Sequence, residues 1–180
     1  MKIRDLERGE LGDLWSIDRA ELIEKVYRCQ GTELVLKPAN HDVRGWPAGE
    51  RERTGPILLD CFDRGGTFHG AFDGETLIGA MVLESRFIGR EKDQLQLTFL
   101  HVSRRYRKTG LGCLLFRRAV QRARELGARR LYISATSSEN TVGFYLRRGC
   151  RVTEDVDAAL FELEPEDIHL EFDIPVGVGE

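Results

Sequence analysis

Residues 107–112, Arg107-Lys108-Thr109-Gly110-Leu111-Gly112, lie where a predicted strand gives way to a predicted helix. The apolar run from Leu95 to Val102 precedes them, and a helical pattern runs from Leu111 to Leu126. The first N–H groups of a helix have no partner inside it, and the helix dipole favours negative charge there. Glycines also let a ligand approach the backbone. This stretch therefore predicts an anion-binding loop.

Two other phosphate loops do not fit the sequence. A Walker A loop ends in Gly-Lys-Ser/Thr, and that tripeptide does not occur in the chain. A dinucleotide-binding fingerprint needs a third glycine three residues after the second, where this chain has Leu115. On the hexapeptide alone, a helix start that needs glycine only for its turn is an equal alternative.

A second segment, downstream, favours the functional interpretation. The order arginine, two residues, glycine, one residue, glycine resembles the acyl-coenzyme A pyrophosphate loop of the GNAT N-acetyltransferase superfamily. The segment Asn140-Thr-Val-Gly-Phe-Tyr-Leu-Arg-Arg-Gly149 resembles the other signature region of that superfamily. The matching positions are Asn140, Phe144, Tyr145 and Gly149, and Cys150 departs from the bulky apolar residue that is more usual there.

The resemblance implies acetyl-coenzyme A as cosubstrate. Backbone N–H groups of the loop would hold the pyrophosphate, and nearby cationic side chains would reach the outer phosphate. By the same resemblance, the acetyl carbonyl would meet a backbone N–H near Leu100, an oxyanion-type donor. The residues that the resemblance places at the cofactor are Leu100, Val102, Arg107, Lys108, Thr109, Gly110, Leu111, Gly112, Cys113, Asn140, Phe144 and Tyr145.

The same resemblance assigns the general acid to Tyr145, and the alternative is a core tyrosine whose hydroxyl caps a backbone carbonyl. In several enzymes that this chain resembles, the general base is a glutamate or histidine on the strand before the phosphate loop. The nearest position that aligns with it here is Gln96, which cannot accept the proton. We therefore expect Glu84, acting through water, with His101 as the other candidate. A side chain at either position is more often structural or solvent-facing than catalytic.

Length and composition are those of a soluble globular protein. The 180 residues are 41% hydrophobic and 32% charged, and predict one domain. No apolar run approaches the ~20 residues that span a bilayer, and the charged N-terminus is not a signal peptide. The four cysteines show no paired spacing, which indicates reduced cytoplasmic thiols and predicts no metal site.

Charge is uneven along the chain although the net charge is only −3. Residues 104–151 hold 13 Lys/Arg and two acids, whereas residues 152–180 hold ten acids and no Lys or Arg. The basic block suits a polyanionic ligand, or is a solvated surface balanced by the acidic segment. Nucleic acid is a poor candidate because Tyr106 is the only aromatic residue among these loop cations.

The pattern of elements predicts an α/β (α+β mixed) fold, with a mixed, mostly antiparallel, twisted sheet flanked by helices on both faces. The predicted strands are residues 1–5, 33–37, 67–72, 76–83, 81–88 (overlapping the strand before it), 94–102, 130–135 and 168–174. The predicted helices are one or two within 11–26, then 57–62, 111–126 and 139–148. Asp73-Gly74 is a tight-turn pair, and residues 38–56 are expected to form a loop in which Trp46 either lines an acceptor pocket or packs.

Together these features predict an acyl-coenzyme A-dependent N-acyltransferase that moves acetyl to a primary amine of a small molecule or peptide. A single domain would comprise a variable acceptor side, residues 1–66, and a cofactor-binding core, residues 67–174. The alternative is a GNAT-like domain that senses acyl-coenzyme A without turnover. The resemblance also favours a homodimer, and the sequence does not identify the acceptor.

Overall fold

A computed structural model describes residues 1–31 and 33–175 of the chain. The chain divides into two compact units. The first unit comprises Met1–Glu21, Asp42–Ser85 and Leu97–Arg122. The second comprises Leu22–His41, Arg86–Gln96 and the chain from Ala123 onward.

The elements alternate between strands and helices, with 3-10 helices at Arg8–Ser16 and Arg104–Tyr106. The strands are β1 (Lys2–Asp5), β2 (Glu21–Gln30), β3 (Glu33–Val43), β4 (Thr67–Asp73), β5 (Thr76–Ile88), β6 (Gln94–Val102), β7 (Arg130–Ala135), β8 (Arg151–Val152) and β9 (Ile168–Asp173). The α-helices are α1 (Glu50–Asp63), α2 (Leu111–Glu125), α3 (Glu139–Leu146) and α4 (Ala158–Leu163).

Seven strands form one mixed sheet in the order β1-β4-β5-β6-β7-β9-β8, and β2 and β3 form a separate two-stranded sheet. The strand pairs β1–β4, β4–β5, β7–β9 and β8–β9 are antiparallel, whereas β6 and β7 run parallel. The expected mixed, mostly antiparallel sheet is confirmed.

The first unit has a core of aliphatic and aromatic side chains. Leu14, Leu58, Phe68 and Phe99 belong to it and are each 5% exposed or less. Helix α1 contributes Leu58 because it is amphipathic, with its polar residues turned to solvent. The predicted tight turn between β4 and β5 is confirmed, and Gly74 there has a φ of 60°, which favours glycine.

The second unit is built around β7, which lies between β6 and β9. Leu131, Tyr132 and Ile133 of this strand are 1% exposed or less, so its predicted central place is confirmed. Arg130, at its start, donates hydrogen bonds to the carboxylates of Asp93 and Glu171. A strand flanked by neighbours on both sides and covered on both faces needs such a continuous apolar run.

The N-terminal third is where the predictions are wrong. A helix was predicted within residues 18–26, but Glu21–Gln30 is strand β2. Ile23 and Val26 are its buried residues, and this spacing of three also fits a helix. The strand predicted to end before Pro38 continues to Val43, because proline is tolerated in an edge strand.

The loop predicted over residues 38–56 is also only partly correct. Helix α1 begins at Glu50, after Gly49 with a φ of 77°, and continues through Pro56 to Asp63. Pro56 is exposed, and burial of Leu58 beyond it keeps the segment helical. The two-residue strand β8 and the six-residue helix α4 were not predicted, because their patterns are too short to stand out.

Candidate active site

Strand β6 leads directly into the predicted anion-binding loop. Ser103, which follows the strand, donates its N–H to Ile78 O at 2.8 Å. Two loop residues then have left-handed backbone, Lys108 with a φ of 63° and Gly110 with a φ of 92°. Where right-handed and left-handed backbone conformations alternate, successive N–H groups point to one side and form a concave site for an anion. Helix α2 begins at the next residue, so its free N–H groups and dipole add to this site.

The Arg107 side chain holds this loop to the rest of the first unit. Its Nε donates to Val102 O at 3.0 Å, Nη1 to Ala20 O at 3.1 Å and Nη2 to Asp18 O at 3.3 Å. Its backbone N–H donates to Arg104 O at 3.2 Å. The guanidinium therefore has a positioning role that the sequence did not indicate.

Two further hydrogen bonds fix the 3-10 turn before the loop. The Tyr106 hydroxyl donates to the Asp73 carboxylate, at the β4–β5 turn, at 2.7 Å. This bond raises the pKa of the Tyr106 hydroxyl above its usual value. The Thr109 hydroxyl donates to Tyr106 O, also at 2.7 Å. The loop is thus tied to neighbouring elements before any ligand is bound.

The loop residues suit a phosphate-bearing cosubstrate. Arg104, Arg105 and Lys108 are exposed cations, and a Cβ built on Gly110 would meet no atom within 4 Å. Exposed cations beside an open concave backbone match the charge and shape of a pyrophosphate. Among the other expected cofactor residues, Leu111 is buried, and Leu100, Val102, Gly112 and Cys113 are partly exposed.

Glu84, the expected base, lies on β5 in the first unit and is paired. Its carboxylate accepts two hydrogen bonds from Arg64, at 2.8 and 2.9 Å, and one from the Ser85 N–H at 3.1 Å. The side chain is 12% exposed. The pair raises the pKa of the Arg64 guanidinium, so the carboxylate faces a permanent positive charge.

His101, the other candidate base, lies in a group of aromatic rings. Its ring centroid is 4.9 Å from that of Trp46 and 4.5 Å from that of Phe99. Burial, and then the positive charges of Arg19 and Arg107, lower the pKa of His101 to about 3. The imidazole is therefore neutral at physiological pH but a weak base.

Helix α3, in the second unit, carries the other expected site residues. Ser138 caps its start, since the hydroxyl oxygen accepts the Thr141 N–H at 3.2 Å. Asn140 is exposed, and Phe144 is partly exposed beneath the Arg148 guanidinium, 3.4 Å from the ring centroid. Tyr145 is 5% exposed. Burial raises the pKa of Tyr145, so its hydroxyl keeps its proton at neutral pH.

Arg19 was not among the predicted site residues, although it lies next to Trp46. The Arg19 guanidinium carbon lies 5.0 Å from the Trp46 ring centroid. Arg19 stands in a segment without a motif, and only the folded chain brings it to Trp46, so no sequence signal could have found it.

Comparison with protein families identifies the chain. The family model described as the acetyltransferase (GNAT) family matches residues 24–150. The chain therefore belongs to the GNAT acetyltransferase family, whose members use acetyl-coenzyme A as cosubstrate to acetylate amines. No curated protein sequence matches the chain.

Solved structures share this fold at low identity. Nourseothricin acetyltransferase is 19% identical with a TM-score of 0.72, covering 97% of this chain and 98% of its own. PaiA N-acetyltransferase from Thermoplasma acidophilum, solved with coenzyme A, is 22% identical with a TM-score of 0.63, covering 96% and 98%. Aminoglycoside 6'-acetyltransferase type Ii is 14% identical with a TM-score of 0.65, covering 98% and 99%. At such identities the likeness establishes the fold and leaves the acceptor open.

Membrane spans and metal clusters are two other kinds of site that a chain of this size can carry. Over residues 1–31 and 33–175, none of the helices has both the length and the apolar character for crossing a membrane. In the same part of the chain, no group of three or more His, Cys, Asp or Glu side chains is arranged to hold a metal ion.

Proposed function

We propose that this protein transfers the acetyl group of acetyl-coenzyme A to a primary amine of a small molecule or peptide. The observation that supports this most is the loop in which Lys108 and Gly110 have positive φ at the start of α2. Its N–H groups are proposed to bind the pyrophosphate, with Arg104, Arg105 or Lys108 at the outer phosphate. Arg107 holds this loop in place through backbone carbonyls.

The reaction is proposed to proceed by direct attack of the amine on the thioester carbonyl. A C–N bond forms, the C–S bond breaks, and the oxygen that becomes negative is stabilised by the Leu100 N–H. Glu84 removes the surplus proton of the amine through a water molecule, and Tyr145 donates a proton to the departing thiolate. Burial keeps the Tyr145 hydroxyl protonated, so the proton is present at neutral pH, and the same rise in pKa makes its transfer to the thiolate more costly.

The remaining proposals concern the whole protein. Residues 1–66 are proposed to form the acceptor side of a single domain and residues 67–174 its cofactor core. The enzyme is proposed to act in the cytoplasm, as a homodimer, without nucleic acid or membrane partners. Sedimentation would test the dimer, and a mobility shift with DNA or RNA at moderate salt would contradict the partner proposal.

The central experiment separates an enzyme from a domain that only senses acyl-coenzyme A. Coenzyme A at 100 times its Kd should add about 2.7 kcal/mol to the free energy of unfolding, because it binds the folded state alone. Release of free thiol from acetyl-coenzyme A, measured with a panel of amines, should then show turnover. Stabilisation without turnover would indicate a sensor, and absence of stabilisation would contradict the proposal altogether.

A further inference from the structure

A fixed group of aromatic rings lies beside β6 in the first unit. We call Trp15, Trp46, Phe99 and His101 the aromatic wall. The Trp46 ring is stacked on Phe99 at 5.7 Å, and the Trp15 ring meets it edge-on at 4.9 Å. The Trp46 Nε1–H donates a hydrogen bond to Ile17 O at 3.0 Å, which anchors the Trp46 indole. The Trp46 ring is therefore held in place, with Phe99 buried in the core and with Trp15, Trp46 and His101 partly exposed.

The position of the wall relates it to the proposed reaction. Phe99 and His101 are two residues apart on β6, so their side chains lie on the same face of the strand. Leu100 stands between them, and its N–H is the proposed donor to the acetyl carbonyl. The wall therefore flanks the point at which the acetyl group would be transferred, and this inference rests on the proposed function.

Two cations, Arg19 and Arg107, act at the wall. The Arg19 guanidinium lies over the Trp46 ring, and its charge and that of Arg107 both act on the His101 imidazole. Arg107 donates to backbone carbonyls and has the Glu21 carboxylate 3.9 Å away, so it is engaged in holding the loop. Arg19 is the cation that belongs to the wall itself.

We propose that the acceptor is a small amino carboxylic acid, whose carboxylate binds Arg19 and whose side chain packs on the exposed part of the half-buried Trp46. Stacking on an indole uses the flat face of a guanidinium, whereas a carboxylate binds to the N–H groups at its edge. A guanidinium has five such N–H donors, so it can hold a carboxylate together with protein partners. A polyamine would instead bring further positive charge to Arg19, which like-charge repulsion disfavours.

Matched pairs of acceptors that differ only in the carboxylate test this proposal. Phenylalanine with phenethylamine, leucine with isoamylamine, and tryptophan with tryptamine form such pairs. For the wild-type enzyme we expect kcat/KM for the best amino acid to exceed that for its amine about 10- to 100-fold, the range for one charged hydrogen-bonding pair. Arg19→Ala and Arg19→Gln should remove this preference, because they should lower kcat/KM for the amino acid far more than kcat/KM for its amine.

The control variant is Arg117→Ala, which removes the same charge from an exposed position on α2. It should keep the preference for the amino acid, and stabilisation by coenzyme A should confirm that all variants fold. Preference for the amine or for spermidine, or an unchanged preference in Arg19→Ala, would overturn the proposal.

Failure of the proposed function would look different. If coenzyme A binds but no amine is acetylated, calorimetry of phenylalanine and phenethylamine on the coenzyme A complex replaces the rate measurement. Tighter binding of phenylalanine that depends on Arg19 would still support the inference, whereas equal binding of the two, or none, would overturn it.

Discussion

At the scale of single residues, removal of the Tyr145 hydroxyl distinguishes a catalytic role of this residue from a packing role. Tyr145→Phe keeps the buried ring and removes only the hydroxyl. Loss of general acid catalysis should lower kcat by about 10²–10⁴, or ~3–5 kcal/mol of barrier, with little change in KM for acetyl-coenzyme A. Steady-state kinetics under conditions where chemistry limits turnover would measure this. A variant within about threefold of wild type would show that the hydroxyl is structural.

Glu84 gives a prediction that depends on pH. A lysine-like amine has a pKa of ~10.4, so at neutral pH its proton must be removed before attack. Glu84→Gln should therefore lower the rate about 10²- to 10⁴-fold at pH 7, and the deficit should shrink as pH approaches 10, where the amine is already neutral. Rate profiles of both proteins from pH 6 to 10 would measure this.

Two outcomes would exclude Glu84 as the base. A full rate at pH 7 would show that the carboxylate serves only the Arg64 pair. A deficit that is the same at every pH would indicate a structural disturbance, because Arg64 then loses its charged partner.

The sequence predicted the local part of the candidate site better than the assembled part. Gly110 and the helix start at Leu111 are local features, and the backbone conformation expected of them is present. The bonds from Arg107 to Ala20 and Asp18 join residues almost ninety positions apart, so no local pattern indicates them. The Arg64–Glu84 pair likewise joins residues that are distant in the sequence, so no local pattern indicates it.

At the scale of elements, the loop and the start of α2 should act as one anion site. If the pyrophosphate approaches the backbone at Gly112, as proposed, a branched Cβ there would occupy the space it needs. Gly112→Val should therefore weaken binding of acetyl-coenzyme A strongly in a folded protein. Calorimetry would measure the affinity, with the exposed Arg117→Ala variant of the same helix as control. Unchanged affinity would remove the loop from the site.

Elements with their own periodicity were predicted well, and elements that depend on a distant partner were not. Helix α2 repeats its apolar residues over four turns and ends at Glu125, two residues before Gly127, whose φ is 89°. Strand β2 buries only Ile23 and Val26, and its strand character comes from pairing with β3. Helix α1 contains Pro56. Proline locally disfavours a helix interior, and the burial of Leu58 outweighs this preference.

At the scale of the whole molecule, buried imidazoles should make the protein sensitive to acid. Burial is the largest cause that lowers the pKa of His69, His101 and His169 in the folded protein. The unfolded chain takes up these protons near pH 6.5, whereas folded His101 takes up its proton only near pH 3. The free energy of unfolding should therefore fall as pH drops below 6.5, by up to roughly 1.4 kcal/mol per pH unit for each such group.

Urea unfolding at intervals between pH 7 and 4.5 would measure this slope. His101→Asn should make it shallower, and His41→Asn, at an exposed position of β3, is the matched control. An identical slope in the His101 variant would show that its ring takes up protons as freely when folded as when unfolded.

The aromatic wall gives the protein a built-in optical signal. The chain has two tryptophans, and the Trp15 and Trp46 rings meet edge to face within that one wall. All indole fluorescence of the protein therefore originates from one pair of rings, of which Trp46 lies beside His101 and Arg19. A molecule that docks on the Trp46 ring, or a proton that reaches the neighbouring imidazole, changes the surroundings of both emitters together. Emission spectra can thus follow acceptor docking in real time, in an unlabelled and unmutated protein.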